Sequence, residues 1–181
     1  MEKSTIKFTS FPRTNPPPPF VSDLVNVFRQ HEAKISTTVL KKGLDSDGVL
    51  AELRADLVHL GFDVESGKRM ADKIDRPVFF GENGEPTLRY QIDAFHSDWE
   101  CGLEVEAGRA FMGNAFYRDL IQACVMVQVN NFVVAVPNSY KYLSKGKPMV
   151  SQDYNHAISL AETLYGHSRM RLPYNLTILG Y

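Results

Sequence analysis

The sequence contains little cysteine, almost no charge excess and no long hydrophobic run, and each shortage narrows the range of functions. Its 2 cysteines, Cys101 and Cys124, form no Cys-x-x-Cys pair and no cluster with histidine. This pattern argues against a structural zinc site and for a reducing compartment. The 20 basic and 21 acidic residues leave a formal net charge of −1, without the basic excess of a general polyanion binder. No segment approaches the roughly 18 apolar residues of a membrane span.

The N-terminal segment lacks the apolar region of a secretory signal and then becomes proline-rich. Met1–Thr5 is polar, so we expect a cytoplasmic protein without membrane contact. Residues 12–19 read Pro-Arg-Thr-Asn-Pro-Pro-Pro-Pro. Because proline fixes φ and has no amide donor, this stretch is expected to be extended. We therefore predict an extended arm over residues 1–19 and a single domain over residues 20–181.

The hydrophobic pattern of the remaining chain predicts helices and strands in alternation. The composition, with 44% hydrophobic and 23% charged residues, is that of an ordinary globular domain. Helical spacing falls at 20–34, 46–60, 114–129 and 154–165, and strand patterns fall at 35–40, 76–80, 87–95, 102–107, 131–136 and 174–179. Ser46 is the expected N-cap of the second helix, and Gly61 ends it. This order of elements predicts an α/β arrangement with a mixed central sheet flanked by helices.

Acidic residues alternate with apolar ones in the segment Leu103–Ala107. Because residues i and i+2 of a strand share a face, Glu104 and Glu106 point the same way, and Asp93 on the preceding strand falls beside Glu104. Three carboxylates on one sheet face are costly unless the face is wet or a cation lies there. Mg²⁺ is held by one or two carboxylates with water and phosphate oxygens. The alternative is an exposed edge strand with ordinary acidic residues.

The same residues resemble a known active-site signature. Asp93, ten intervening residues and then Glu104-Val105-Glu106 resemble the motif of the PD-(D/E)XK nuclease superfamily. More narrowly, they resemble restriction endonucleases of the BglII/BamHI type, which carry Glu-x-Glu or Glu-x-Gln where most relatives have Glu-x-Lys. The segment Phe116–Leu120 resembles the start of the helix that follows the catalytic strand. The resemblance covers about residues 46–136 and implies a restriction-endonuclease-like three-layer core.

The resemblance also implies roles for individual residues. Asp93, Glu104 and the carbonyl of Val105 would hold Mg²⁺, with Mn²⁺ as a substitute. Glu106 would orient or deprotonate the attacking water, and Glu52 on the first core helix would contact the metal through water. The implied activity is hydrolysis of phosphodiester bonds in double-stranded DNA. Cutting both strands requires two sites, so a symmetric homodimer is expected.

Basic side chains that suit DNA phosphates occur in two places. Lys141, Lys145 and Lys147 lie among tyrosines in a predicted loop, and lysine suits phosphate contact. Arg118 shares a helix side with Asp119. A solvated loop and a polar helix flank are the alternative interpretations.

Two other functions fit the sequence. One is a non-catalytic nuclease-fold module that binds DNA or supports an assembly, which the near-zero net charge and small size favour. The other is a metal-dependent hydrolase of a small phosphorylated substrate, for which a closed pocket would be expected in place of a groove.

Overall fold

A computed structural model describes residues 4–40, 42–108 and 114–181. Its strands are β1 (Lys7–Phe11), β2 (Asp63–Val64), β3 (Ile74–Phe80), β4 (Pro86–Ile92), β5 (Ala94–His96), β6 (Cys101–Val105), β7 (Asn131–Val136), β8 (Tyr140–Ser144), β9 (Lys147–Ser151) and β10 (Asn175–Gly180). Its α-helices are α1 (Val21–Gln30), α2 (Glu32–Ile35), α3 (Ser46–His59), α4 (Ala115–Ala123) and α5 (Asp153–Gly166), with short 3₁₀ turns at Met70–Asp72 and Glu82–Gly84.

Six strands form a mixed central sheet in the order β1-β10-β7-β6-β5-β2. The three central strands β10, β7 and β6 run parallel, and the outer pairings are antiparallel. Two separate hairpins, β3–β4 and β8–β9, stand apart from this sheet. The sheet places the acidic end of β6 next to the junction of β4 and β5.

Helices cover both faces of the sheet and give three layers. On one face, Leu103 and Val105 of β6 pack with Leu53 and Leu57 of α3 in a buried cluster. On the other face, residues of α4, α5 and the sheet form a second buried cluster that includes Phe116. The predicted α/β arrangement of a mixed sheet flanked by helices is therefore confirmed. Because side chains alternate along β6, Glu104 points to the face covered by α4.

The predicted arm contributes a strand to the domain. Residues 7–11 form β1, which pairs with β10, and the side chain of Phe11 is buried. The boundary predicted at residues 19 and 20 therefore does not separate an arm from the domain. The pattern missed β1 because a short edge strand before a proline run has no distinctive periodicity.

Three local predictions also needed correction. Residues 35–40 end α2 and form turns, although β-branched residues there suggested a strand. The N-cap of α3 is Asp45, whose side chain accepts a bond of 2.9 Å from the Gly48 amide. Helix α4 ends at Ala123, whereas the apolar run predicted a helix up to residue 129. Apolar composition alone does not separate a buried turn from a buried helix.

The β3–β4 hairpin, which we call the ribbon, contacts the rest of the domain through residues at its base. The Arg76 guanidinium lies 3.7 Å from the centre of the Phe95 ring and donates a bond of 2.9 Å to the Val127 carbonyl. The Val127 amide in turn donates to the Pro77 carbonyl at 2.9 Å. The ribbon therefore has a defined position beside α4. Within the described part of the chain, no helix has the length and apolar character needed to cross a membrane.

Candidate active site

Asp93 and Glu104 lie side by side, as the strand pattern predicts. Asp93 occupies the break between β4 and β5, and the pairing of Ala94 with Leu103 puts it opposite Glu104. Its Oδ2 accepts a bond of 2.8 Å from the amide of Val105. The two carboxyl groups are within hydrogen-bond reach of each other. A carboxyl pair at this distance shares a proton or holds a cation, because two bare charges repel strongly.

Helix α4 adds a fourth carboxylate to the group. Asp119 is buried and lies within hydrogen-bond reach of Glu106. Its Oδ1 accepts bonds from Arg118, from Nε at 2.9 Å and from Nη2 at 2.8 Å. Its Oδ2 is buried and receives no bond from an amide, amine or hydroxyl donor among the described residues. We call Asp93, Glu104, Glu106 and Asp119 the acidic cluster.

Crowding and burial raise the pKa of three members of the acidic cluster. Burial is the main cause for Asp93, whose pKa rises to about 6 although the Val105 amide opposes the rise. Burial, followed by the charges of Asp93 and Asp119, raises the pKa of Glu104 well above its ordinary value. Burial and the bond to Asp119 raise the pKa of Glu106 to about 8. The cluster therefore retains protons near neutral pH unless positive charge replaces them.

The acidic cluster borders a groove of about 790 Å³. One wall is strand β4, and α4 contributes Arg118, Asp119 and Gln122. The groove is also lined by Lys73, whose ammonium group pairs with Glu65 and lies near enough to Asp47 and Asp93 to be influenced by their charges. Exposed side chains of the ribbon continue the groove away from the cluster. A groove of this form accommodates a polymer backbone more readily than a closed pocket does.

The donor set suits a hard cation with few protein ligands. Among the described residues, no three Asp, Glu, His or Cys side chains are arranged to hold a metal ion. Asp93 and Glu104 supply two carboxylates, the number by which Mg²⁺ is commonly held. The amide of Val105 points to Asp93, and the carbonyl of a strand residue points to the same side as its amide. The unpaired Oδ2 of Asp119 adds negative charge behind these groups.

Glu52 does not belong to this group. Its Oε2 accepts a bond of 2.8 Å from Lys34 and lies 4.0 Å from Nδ1 of His31. Helix α3 covers the face of the sheet opposite to the acidic cluster, so Glu52 points at the neighbouring helix α2. The α3 residue that lines the groove is Asp47, in the first turn of the helix. The prediction for Glu52 was wrong because helix position alone does not reveal which neighbour a flanking residue faces.

The predicted lysines lie on a hairpin outside the groove. Residues 140–151 form the β8–β9 hairpin rather than a loop, with Lys145 and Gly146 at positive φ in its turn. The Lys141 ammonium donates to the Leu40 carbonyl at 3.3 Å and lines a second cavity that also borders Ala107. The hairpin therefore begins next to the end of the segment that carries Glu106. Contact of Lys141, Lys145 and Lys147 with DNA stays a prediction.

Three residues near the cluster gave little or no signal in the sequence. Asp119 appeared only as part of a polar helix side with Arg118, and Lys73 and Glu65 stood outside every motif. Lys73 pairs with Glu65 and is influenced by the charge of Asp93. Only the fold brings residues 65, 73, 93, 104 and 119 together, so no local spacing could have identified the set.

Comparison with known proteins gives a distant structural likeness. No family model matches the chain, and no curated protein matches it. Its structure is similar to the crystal structure of the restriction endonuclease BglII complexed with a DNA 16-mer, with 13% sequence identity over 97% of this chain and 75% of that chain, and a TM-score of 0.49. A likeness of this size does not decide activity, so the functional case rests on the chain's own residues.

Proposed function

We propose that this protein is a Mg²⁺-dependent endonuclease that hydrolyses phosphodiester bonds in duplex DNA. The observation that carries the proposal is the acidic cluster: Asp93, Glu104 and Asp119 line a solvent-open groove, and Glu106 contacts Asp119. Packing carboxylates in this way costs stability, so a structural role alone is a poor explanation. Strongly raised pKa values in a cleft are typical of functional sites.

The residues present fit a divalent cation. Asp93 and Glu104 would hold Mg²⁺, or Mn²⁺ in its place, with the Val105 carbonyl as a third ligand. The bound ion would supply Lewis-acid stabilisation of charge on the phosphoryl oxygens. The negative charge gathered at Asp93, Glu104 and Asp119 supports a cation site, because a bound cation would offset it.

We assign to Glu106 the role of accepting the proton of the attacking water. A general base must be ionised to act, and a cation at Asp93 and Glu104 would lower the Glu106 pKa from the value of about 8 that burial and Asp119 give it in the metal-free protein. The water oxygen forms a bond to phosphorus and its proton passes to Glu106. The ester P–O bond breaks, and the leaving oxygen takes a proton from solvent.

Arg118 and Lys73 provide the positive charge that phosphate requires. The side chain of Arg118 is 63% exposed although its guanidinium is held by Asp119, so its remaining donors face the groove. Lys73 stands near the cluster and is held by Glu65. Fixed cations beside a phosphoryl group stabilise the charge that develops on its oxygens in the transition state. Arg118 thus contributes a phosphate contact.

A homodimer would give one site to each DNA strand. Ile121 on α4 and Val125 in the turn that follows it are 59% and 45% exposed. Helix α4 also carries Asp119, so a two-fold contact through this region would bring two acidic clusters near one duplex. The expected occupant of this surface is therefore a second copy of the chain.

The direct test is incubation of duplex DNA of mixed sequence with the protein in Mg²⁺ or Mn²⁺, with an EDTA control. Cleavage should require the metal, and Asp93→Ala and Glu104→Ala should each abolish it while the folded structure persists by circular dichroism. Asp98→Ala is the matched control, because Asp98 is an exposed aspartate in the turn between β5 and β6. Normal cleavage by either cluster variant would refute the assignment.

The same assay separates the two alternatives. A non-catalytic DNA-binding module would bind duplex DNA without cutting it and without any need for Mg²⁺. A hydrolase of small phosphorylated compounds would release phosphate from such compounds and leave DNA intact.

A further inference from the structure

The solvent face of strand β4 presents polar side chains in a row that ends at the acidic cluster. Thr87, Arg89, Gln91 and Asp93 all line the groove, at the two-residue spacing that puts strand side chains on one face. The alternate residues Tyr90 and Ile92 pack into the second core. A cluster carboxylate thus follows the end of β4, and Arg89 and Gln91 stand exposed along the strand, whereas the Thr87 hydroxyl donates to the Phe79 carbonyl at 3.4 Å.

The side chains of Arg89 and Gln91 are exposed and make few contacts with the rest of the described structure. Arg89 has no hydrogen bond or ion pair with any described residue, and Gln91 makes a weak bond of 3.7 Å to the sulfur of Met70. By contrast, Arg76, on the opposite face of the ribbon, is committed to Phe95 and Val127. A long polar side chain that projects from a strand into a groove, with no partner (Arg89) or only a weak one (Gln91), is suited to contact a ligand.

The chemistry of these two side chains matches base edges. Arginine donates two bonds to the O6 and N7 atoms of guanine, and glutamine pairs with N6 and N7 of adenine. The major groove admits a two-stranded β-ribbon, which is the form of β3–β4. Gln91 lies roughly 7 Å and Arg89 roughly 13 Å along the strand from Asp93, and DNA rises about 3.4 Å per base pair. Their partners would therefore lie within about four base pairs of the cut bond.

We infer that the groove face of the ribbon reads DNA sequence in the major groove, with Arg89 contacting guanine and Gln91 contacting adenine. This inference rests on the proposed function for the nature of the ligand and adds the residues that determine specificity. Asp75 stands directly opposite Gln91 in the register and also lines the groove. An aspartate there disfavours a phosphate at that point and accepts a bond from the cytosine N4 amine. Asp75 therefore favours an orientation in which the ribbon faces bases rather than backbone.

The test selects bound sequences from a pool of duplexes randomised over 20 base pairs. The parent protein carries Glu104→Gln, which prevents cleavage during selection, and the selected DNA is sequenced. Arg89→Ala and Gln91→Ala are each added to this parent. Arg171→Ala serves as the matched control, because Arg171 is exposed and does not line the groove.

We expect the parent to enrich a defined sequence with guanine and adenine at fixed positions. Arg89→Ala should remove the guanine preference and Gln91→Ala the adenine preference, each by about 5- to 150-fold at one position. The affinity of both variants for DNA outside the selected sequence, and the salt dependence of that affinity, should equal those of the parent. Arg171→Ala should reproduce the parent sequence.

Two results would overturn the inference. One is that the parent enriches no defined sequence, or that both variants enrich the same sequence as the parent. The other is that Arg89→Ala weakens binding to every sequence and lowers the salt slope by about one, which identifies a phosphate contact. Cleavage by wild-type protein is scored separately. Selective binding without cleavage would refute the proposed nuclease activity and support sequence recognition by the ribbon. Cleavage without sequence preference would support the nuclease activity and refute recognition by the ribbon.

Discussion

Replacing Asp93 by asparagine tests the electrostatic description of the site without any assumption about substrate. Asparagine keeps an oxygen that accepts the Val105 amide, which now bonds to Asp93 at 2.8 Å, and removes the ionisable group. The folded-state pKa of Asp93 is about 6, against an ordinary value of 3.8. The folded protein therefore binds this proton more tightly than the unfolded chain does.

The sign of the pH effect follows from this difference. Between pH 3.8 and about 6 the folded state holds more protons than the unfolded state, so stability decreases as pH rises. At about 1.36 kcal/mol per pKa unit, ionising Asp93 costs about 3 kcal/mol at pH 8 and about 1 kcal/mol at pH 4.5. Asparagine avoids this cost. Asp93→Asn should therefore be more stable than wild type, by about 3 kcal/mol at pH 8 and by less at pH 4.5.

Urea denaturation followed by circular dichroism at the two pH values measures this difference. Asp98→Asn is the control, since Asp98 is exposed, and it should change stability little at either pH. Addition of Mg²⁺ at pH 8 should stabilise wild type more than Asp93→Asn, because the variant has lost a ligand. An Asp93→Asn protein no more stable than wild type at pH 8, or equally stabilised at both values, would refute the burial of this charge.

Three further outcomes follow from the structure. Glu106→Gln should lower the cleavage rate by about 10²- to 10⁴-fold and abolish the rise of this rate with pH that accompanies ionisation of the Glu106 carboxyl group; an unchanged pH–rate profile would restrict Glu106 to orienting the water. Alanine at Lys141, Lys145 and Lys147 together should weaken binding to all DNA sequences and lower the salt slope by about one per lost contact; an unaltered slope would show that the β8–β9 hairpin is merely solvated. Ile121→Lys should convert a dimer into a monomer in light scattering, and a wild-type protein that is already monomeric would contradict the proposed α4 contact.

The sequence predicted the parts of the fold that depend on local periodicity. The helix that became α3 and strand β7 have strong patterns, and the structure contains both. Residues 35–40 and the end of α4 were misjudged because burial there depends on contacts with distant segments. Local pattern determines an element's type more reliably than it determines where the element ends.

The candidate site likewise contains residues that local spacing predicted and residues that it did not. Asp93, Glu104 and Glu106 were found because two neighbouring strands impose their proximity, so spacing in the chain becomes spacing in three dimensions. Asp119 lies on a helix and Lys73 precedes β3, and their approach to the cluster depends on how separate layers pack. The error at Glu52 has this cause as well, since α3 turns that residue toward Lys34.

The charge of the groove links metal binding to DNA binding. Its described lining contains six acidic residues and three basic ones: Asp47, Glu65, Asp75, Asp93, Glu104 and Asp119 against Lys73, Arg89 and Arg118. Such a surface repels a polyanion unless protons or cations neutralise part of it. Since Asp93 has a pKa of about 6, protons alone leave it charged at neutral pH. In the proposed mechanism Asp93 and Glu104 would hold a divalent ion, which would supply Lewis-acid stabilisation of the phosphate and offset the repulsion between DNA and the groove.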